Sequence, residues 1–256
     1  MAERFVPEPL RSRFSMDGAV NIEEHLLYFQ GGEQRQHFTY TPTLVDNFLM
    51  KVKNKQPLHY PETDLWLYEA LEKYHESVEN KKALIIGSEE PCYEACVLHY
   101  GAREVMMVEY QKVSSTHPQI TTVKAEEFSR MTEKYDIVIS ISSVEHSGLG
   151  RYGDPINPDG DIEAMGDLYH NLKPGGLCFL AVPIGRDQII WNAHRVYGKN
   201  RLPKLIEKFE LLETFGLIES DYDVDEVIKR RNGKKPHRQG ASGGAHQPVL
   251  VLRKQK

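Results

Sequence analysis

No stretch of the 256 residues is apolar for long. The longest run, Leu177 to Ile184, falls far short of the roughly 18 to 20 residues that a bilayer-crossing helix needs, so no membrane span is expected. The first residues, Met1-Ala2-Glu3-Arg4 onward, mix charges and lack the apolar stretch of a secretory signal, which makes a cytoplasmic address the expectation. Cysteine is scarce. Cys92, Cys96 and Cys178 cannot all pair, and the first two sit four apart on a helical stretch rather than in a metal-knuckle spacing, which leaves reduced core thiols. Basic charge is not in excess either: 32 Lys and Arg against 37 Asp and Glu give a net charge of -5, which argues against a surface built to bind nucleic acid. No fixed-period repeat is present, which excludes a solenoid. With 40% apolar and 27% charged residues, neither a wholly disordered nor a low-complexity chain fits.

What is present is an alternation of short apolar runs and helical segments. Residues 1–62 read as an N-terminal extension and possible cap, with helices expected from Asn21 to Gln30, stopped by Gly31-Gly32, and from Thr43 to Val52. Leu67, Leu71, Tyr74 and Val78 recur at helical spacing and predict an amphipathic helix from Asp64 to near Asn80. Beyond it, strands are expected at Ala83–Ile86, Glu104–Val108, Ile120–Val123, Tyr135–Ile141 and Leu177–Val182. Helices at Pro91–Tyr100, Glu126–Met131 and Asp161–Leu172 fill the crossovers. Phe209–Thr214 and Pro248–Leu252 read as two further strands. The whole predicts a Rossmann-like, doubly wound α/β sheet of about seven strands over 63–256, mostly parallel with an antiparallel last strand.

In such a sheet ligands bind beyond the carboxyl ends of the strands, so the residues just after each strand carry the chemistry. After the first comes Gly87-Ser88-Glu89-Glu90, whose acids would repel a pyrophosphate and tolerate a ligand with positive charge. Glu109 ends the second strand 22 residues after Gly87, close to the spacing at which an acid grips ribose hydroxyls. Glu126 follows the third, where a nucleoside base would pass, though an acid in a helix first turn is also explained by the helix dipole. Ser142 and His146 follow the fourth, leading into Gly148 to Pro158, a glycine- and proline-rich segment read as a lid. His146 is a candidate general base, and Arg151, Tyr152 and Asp154 are candidates to hold a polar substrate, with turn or capping roles open for Glu145, His146 and Asp154. After the fifth strand, Asn192, His194 and Arg195 crowd together side chains that bind oxygen-rich molecules.

These positions resemble the class I S-adenosylmethionine-dependent methyltransferases over roughly residues 65–253. The likeness rests on the strand and turn ending at Gly87, on Glu109, on Ala125-Glu126, on Tyr135 to Ser140 leading to Val144-Glu145-His146, and on Leu172-Lys173-Pro174-Gly175-Gly176. The segments Ser143 to Pro155 and Trp191 to Tyr197 look, more narrowly, like a methyltransferase-like family known only as a domain of unknown function. The resemblance implies S-adenosylmethionine as cofactor, its ribose on Glu109 and its methionine end near Gly87 to Glu90. It departs from the glycine-rich pattern in offering Gly87-Ser88-Glu89 where three glycines are usual. Methyl transfer is an in-line displacement in which the protein aligns the nucleophile and, for a hydroxyl, removes a proton, for which His146 or His194 is the expected base. No cluster of closely spaced acids suggests a metal, so a metal-independent reaction is expected.

Six Lys or Arg fall within Lys229 to Arg238, a stretch read as a solvated loop or as a patch that draws in an anionic substrate. The leading expectation is a methyltransferase for a small or saccharide-like hydroxyl substrate. The alternatives are a methyltransferase-fold protein that binds cofactor or a protein partner without catalysis, and a nicotinamide-dependent oxidoreductase, which the acidic first turn disfavours.

Overall fold

The computed structural model describes residues 3–24, 38–218 and 246–255. From the amino end come α1 (Glu8–Ser15), β1 (Asn21–Glu23), β2 (Phe38–Tyr40), α2 (Pro42–Lys53) and α3 (Pro61–Lys73). Each of the three helices has a proline in its first turn, where the missing N–H has no helical partner to lose. In α2 the Thr41 hydroxyl also accepts the Leu44 amide at 3.2 Å, a side-chain cap.

The helix expected from Asn21 to Gln30 is corrected here. Asn21–Glu23 is extended and pairs in parallel with β9 (Gln188–Ile190), and residues 25–30 lie outside the described part. The helix expected from Asp64 stops at Lys73 and is followed by a separate 3-10 turn at His75–Ser77. The N-terminal segment therefore mixes helices and short strands.

The main sheet has seven strands: β3 (Lys82–Ile86), β4 (Glu104–Glu109), β6 (Ile120–Lys124), β7 (Tyr135–Ile141), β8 (Leu172–Ala181), β11 (Glu210–Phe215) and β12 (Val249–Arg253). Their spatial order is β11-β12-β8-β7-β3-β4-β6, with β12 antiparallel to both neighbours and the other pairs parallel. This is the doubly wound sheet the sequence predicts. Alternate residues serve opposite faces. Ala83, Ile85, Met107, Ile137 and Ile139 join α2, α3 and α4 (Cys92–His99) in one apolar layer. Leu84, Val138, Cys178, Leu180 and Leu250 join α6 (Gly160–Asn171) and α7 (Leu202–Leu205) in the other. Because both faces are covered, the central strands read as continuous apolar runs, which is why they were visible in sequence. Gly101 closes α4 with φ +87°, where a side chain would be strained.

Two small sheets lie outside this frame. β1, β9 and β10 (His194–Val196) form one, and β2 pairs in parallel with β5 (Val113–Ser115) to form the other. The indole of Trp191, between β9 and β10, donates to the Glu3 carbonyl at 2.9 Å and meets Phe14 edge-on. The first residues thus brace the hairpin that carries Asn192 to Arg195. Among the described residues no helix is long and apolar enough to cross a membrane.

Candidate active site

The carboxyl ends of β3, β4 and β7 lie side by side, because the three strands are parallel neighbours in the sheet. At the first, Gly87 has φ +76°, and a Cβ added there would lie 2.5 Å from the Ser143 Oγ. Ser88 is buried; its hydroxyl reaches Glu94 Oε2 at 2.9 Å, and its carbonyl accepts the Tyr40 hydroxyl at 2.6 Å. Glu94 lies wholly in the interior, and burial pushes its carboxyl up to about 8. Glu89 and Glu90 are exposed. At the end of β4, Glu109 is half-buried and its Oε1 accepts the Tyr110 amide at 2.7 Å. Glu126, on the short helix α5 (Ala125–Phe128), is exposed and pairs with Arg130 at 3.2 Å.

The end of β7 carries the densest chemistry. Ser142 turns the chain with φ +52°, and its hydroxyl donates to Glu145 Oε1 at 2.7 Å. Glu145 sits in a single 3-10 turn, Val144–His146, with 1% of its surface exposed, and its Oε2 is buried with no hydrogen-bond partner. Burial pushes this carboxyl up to about 7, against the Ser142 bond and the pull of Arg151 and Arg195.

Next to it, His146 Nδ1 lies 2.6 Å from the Ala193 carbonyl. A carbonyl only accepts, so the hydrogen is on Nδ1 and a lone pair is left on Nε2, which is 3.7 Å from Glu145 Oε1. Burial, with Arg151 nearby, pushes His146 down to about 3, and burial pushes His194 down to about 4. Both rings are neutral at pH 7, so the 3.7 Å approach is not an ion pair. The rings stand 6.3 Å apart, and Tyr152 meets His146 edge-on. Arg151 lies over the Tyr152 ring and donates to the Ala193 carbonyl at 3.2 Å.

The segment Gly148–Pro158 is a packed loop. Asp154 Oδ2 accepts the amides of Gly148 and Gly150 at 2.8 and 3.1 Å, and its Oδ1 accepts that of Tyr152 at 3.1 Å. The Arg195 guanidinium, 2% exposed, donates to the Ser147 carbonyl at 2.6 Å and to those of Glu145, Asn157 and Pro158 at 3.4 Å. Behind it lies Asp161, which Arg201 also grips. Asp154 and Arg195 therefore face the loop backbone they organise, and Asn192 is buried.

Of the residues singled out in sequence, Ser142, His146, Arg151, Tyr152 and His194 come together, with Gly87, Ser88 and Glu109 on the adjoining strand ends and Glu126 apart on the surface. Two further members escaped notice. Glu145 was marked only for a possible turn role, and Tyr60, whose hydroxyl donates to Ser142 Oγ at 3.0 Å, lies 82 residues earlier with no local signal. The basic stretch Lys229 to Arg238 lies outside the described residues. Among the described residues, no group of three or more His, Cys, Asp or Glu is placed to hold a metal ion.

The sheet has the Rossmann-like fold found in S-adenosylmethionine-dependent methyltransferases. The chain is similar to the Burkholderia thailandensis 1,6-didemethyltoxoflavin-N1-methyltransferase, a structure with bound 1,6-didemethyltoxoflavin and S-adenosylhomocysteine, at 16% identity and a TM-score of 0.52 over 83% of this chain and 88% of that one. It is also similar to N-methyltransferase NodS from Bradyrhizobium japonicum WM9, at 13% identity and a TM-score of 0.46 over 74% and 95% of the two chains. No curated protein matches the sequence. Residues 80–255 match the family described as Caenorhabditis protein of unknown function, DUF268, and the chain belongs to that family.

Proposed function

We propose that the protein is an S-adenosylmethionine-dependent methyltransferase whose acceptor is a hydroxyl on a small or saccharide-like molecule. Glu145 carries the reading. A hydroxyl must lose its proton as its oxygen takes the methyl group, and the efficient base for this is a group titrating near the working pH. Glu145 is buried in the turn that follows β7, burial pushes its carboxyl up to about 7, and its Oε2 is buried with no hydrogen-bond partner. His146 and His194, the bases expected from sequence, are pushed down to about 3 and 4 and are weak bases at neutral pH. In this reading they and Arg151 orient the acceptor, and Glu145 takes its proton.

The residues present fit the cofactor. Glu109, half-buried at the end of β4, offers carboxylate oxygen to ribose hydroxyls. The exposed Glu89 and Glu90 beside the Gly87 turn favour a ligand bearing an ammonium and a sulfonium. When bound, S-adenosylmethionine supplies an electrophilic methyl group.

A second reading, a methyltransferase-fold protein that binds cofactor or a protein partner without catalysis, is favoured by the first turn, where Ser88 and Glu89 follow Gly87 in place of further glycines. Calorimetric titration with S-adenosylmethionine and S-adenosylhomocysteine, with NADH as control, tests the proposal. Binding weakened by about 1 to 3 kcal/mol in Glu109→Ala supports it. No binding to the folded protein overturns it, and binding without turnover over a panel of sugars and small alcohols moves the assignment to the second reading.

A further inference from the structure

We infer that Tyr60 is a positioning residue for Glu145, acting through the Ser142 hydroxyl, so that the reacting centre is assembled from the N-terminal segment as well as from the sheet. The catalytic consequence rests on Glu145 being the base; the coupling itself does not.

The geometry starts at Asp64, buried in the first turn of α3. Its Oδ2 accepts the amides of Leu58, His59 and Tyr60 at 2.8, 2.8 and 2.9 Å, which fixes the turn before the helix. The His59 ring stands edge-on against Tyr60 at 4.5 Å. The phenol so aimed donates to Ser142 Oγ at 3.0 Å, where Gln247 Nε2 is a second donor at 3.5 Å.

A serine hydroxyl has two lone pairs and one hydrogen. With Tyr60 and Gln247 directed at the lone pairs, the hydrogen is left to point at Glu145 Oε1, 2.7 Å away. Bonds in such a chain polarise one another, and a carboxylate accepts more strongly than a carboxylic acid, so the chain favours the ionised form of Glu145. The other groups facing Glu145 are the neutral His146 beside it, Arg151 from the loop, Arg195 from β10 and Tyr197 beyond. None of these reaches Ser142 Oγ. Tyr60 is therefore the nearer of the two donors on Ser142 Oγ, at 3.0 Å against 3.5 Å for Gln247, and it comes from the N-terminal segment.

The test is the carboxyl resonance of Glu145 in protein labelled with 13C at glutamate Cδ, assigned by its loss in Glu145→Gln and followed through a pH titration. Tyr60→Phe keeps the ring and removes the hydroxyl. Its expected effect is an upward move of the Glu145 midpoint by about half to one pH unit, the worth of one hydrogen bond. Tyr40→Phe, which removes the hydroxyl on the Ser88 carbonyl, leaves the midpoint where it was. In a Ser142→Ala background, adding Tyr60→Phe produces no further move. An unchanged midpoint in folded Tyr60→Phe overturns the inference. Should that variant fail to fold, unaltered protein labelled at tyrosine Cζ gives the answer: the Tyr60 resonance follows the Glu145 transition, and a flat response overturns the inference. No cofactor enters these measurements, so failure of S-adenosylmethionine to bind would remove the methyltransferase reading and leave this coupling standing.

Discussion

The Oγ of Ser143 lies 2.5 Å from the point a Cβ on Gly87 would occupy, so the chain leaving β3 and the chain leaving its neighbour β7 meet with no room for a side chain between them. Gly87 also has φ +76°, a left-handed conformation that costs other residues on the order of 1 to 2 kcal/mol. Gly87→Ala carries both penalties and is expected to lose about 2 to 3 kcal/mol in urea unfolding. Adding Ser143→Gly recovers the steric part and leaves the conformational part. Equal stabilities for the single and double variants would show that the contact is not confining.

Arg195 predicts a second loss. A guanidinium that is 2% exposed and donates to four carbonyls of the 145–158 segment is the central pin of that loop. Arg195→Met keeps much of the volume, takes the guanidinium donor from the Ser147 and Glu145 carbonyls, and leaves Asp161 to Arg201 and the Tyr197 hydroxyl. The expected cost is about 3 to 5 kcal/mol, the range for breaking a buried pair, together with proteolytic cleavage inside 148–158 under native conditions. Wild-type resistance in a folded Arg195→Met protein would show that Asp154 is sufficient to hold the loop.

Stability should also depend on pH in a direction that the buried groups set. Burial pushes Glu94 from an ordinary 4.5 up to about 8 and Glu145 up to about 7, so above 4.5 the folded protein keeps protons that the unfolded chain has released, and stability falls as pH rises. His146 and His194 act oppositely: pushed from 6.5 down to about 3 and 4, they favour folding above 6.5 and withdraw that support as pH falls. Between 4.5 and 6.5 the two pairs offset each other. Between pH 7 and 8 the Glu94 contribution stands out, with a mean slope of about 1 kcal/mol per pH unit, since the folded carboxyl is itself half deprotonated by pH 8. Glu94→Gln keeps a hydrogen-bonding partner for Ser88 Oγ, whose own hydrogen faces the Glu90 carbonyl, and is expected to flatten the urea-midpoint profile over that interval; a profile parallel to the wild type would refute this.

How much of this was legible in sequence divides along physical lines. The central strands showed because covered faces demand unbroken apolar runs, and the antiparallel last strand followed from where Val249 to Leu252 falls in the order. β1 did not show, because Asn21-Ile22-Glu23 has no strand signature of its own and becomes one only by pairing with Gln188–Ile190. Ser142 and His146 could be singled out in sequence because they follow the end of β7. Glu145 stood among them, yet its chemistry comes from burial, which spacing does not reveal. Arg195 appeared in sequence as a group for holding substrate and is found, from β10, on carbonyls of the 145–158 segment, and Tyr60 reaches Ser142 from too far along the chain for any local pattern to announce it.

Glu145→Gln gives the sharpest consequence for function. Gln keeps an oxygen for the Ser142 hydroxyl at 2.7 Å, nearly the same volume and an uncharged state, so in a site where the carboxyl is half protonated near neutral pH it should fold at least as well as the wild type. It has no means of taking a proton. If Glu145 is the general base, S-adenosylmethionine binding stays within a factor of a few, and methyl transfer to the hydroxyl acceptor falls by about 10² to 10⁴. The wild-type rate then climbs with pH through about 7 as the carboxylate forms, and the residual rate of the variant loses that climb. A His146→Gln variant should keep the climb, because its ring, pushed down to about 3, does not change state in that range. Retention of the pH step in Glu145→Gln with its loss in His146→Gln would move the base to the imidazole.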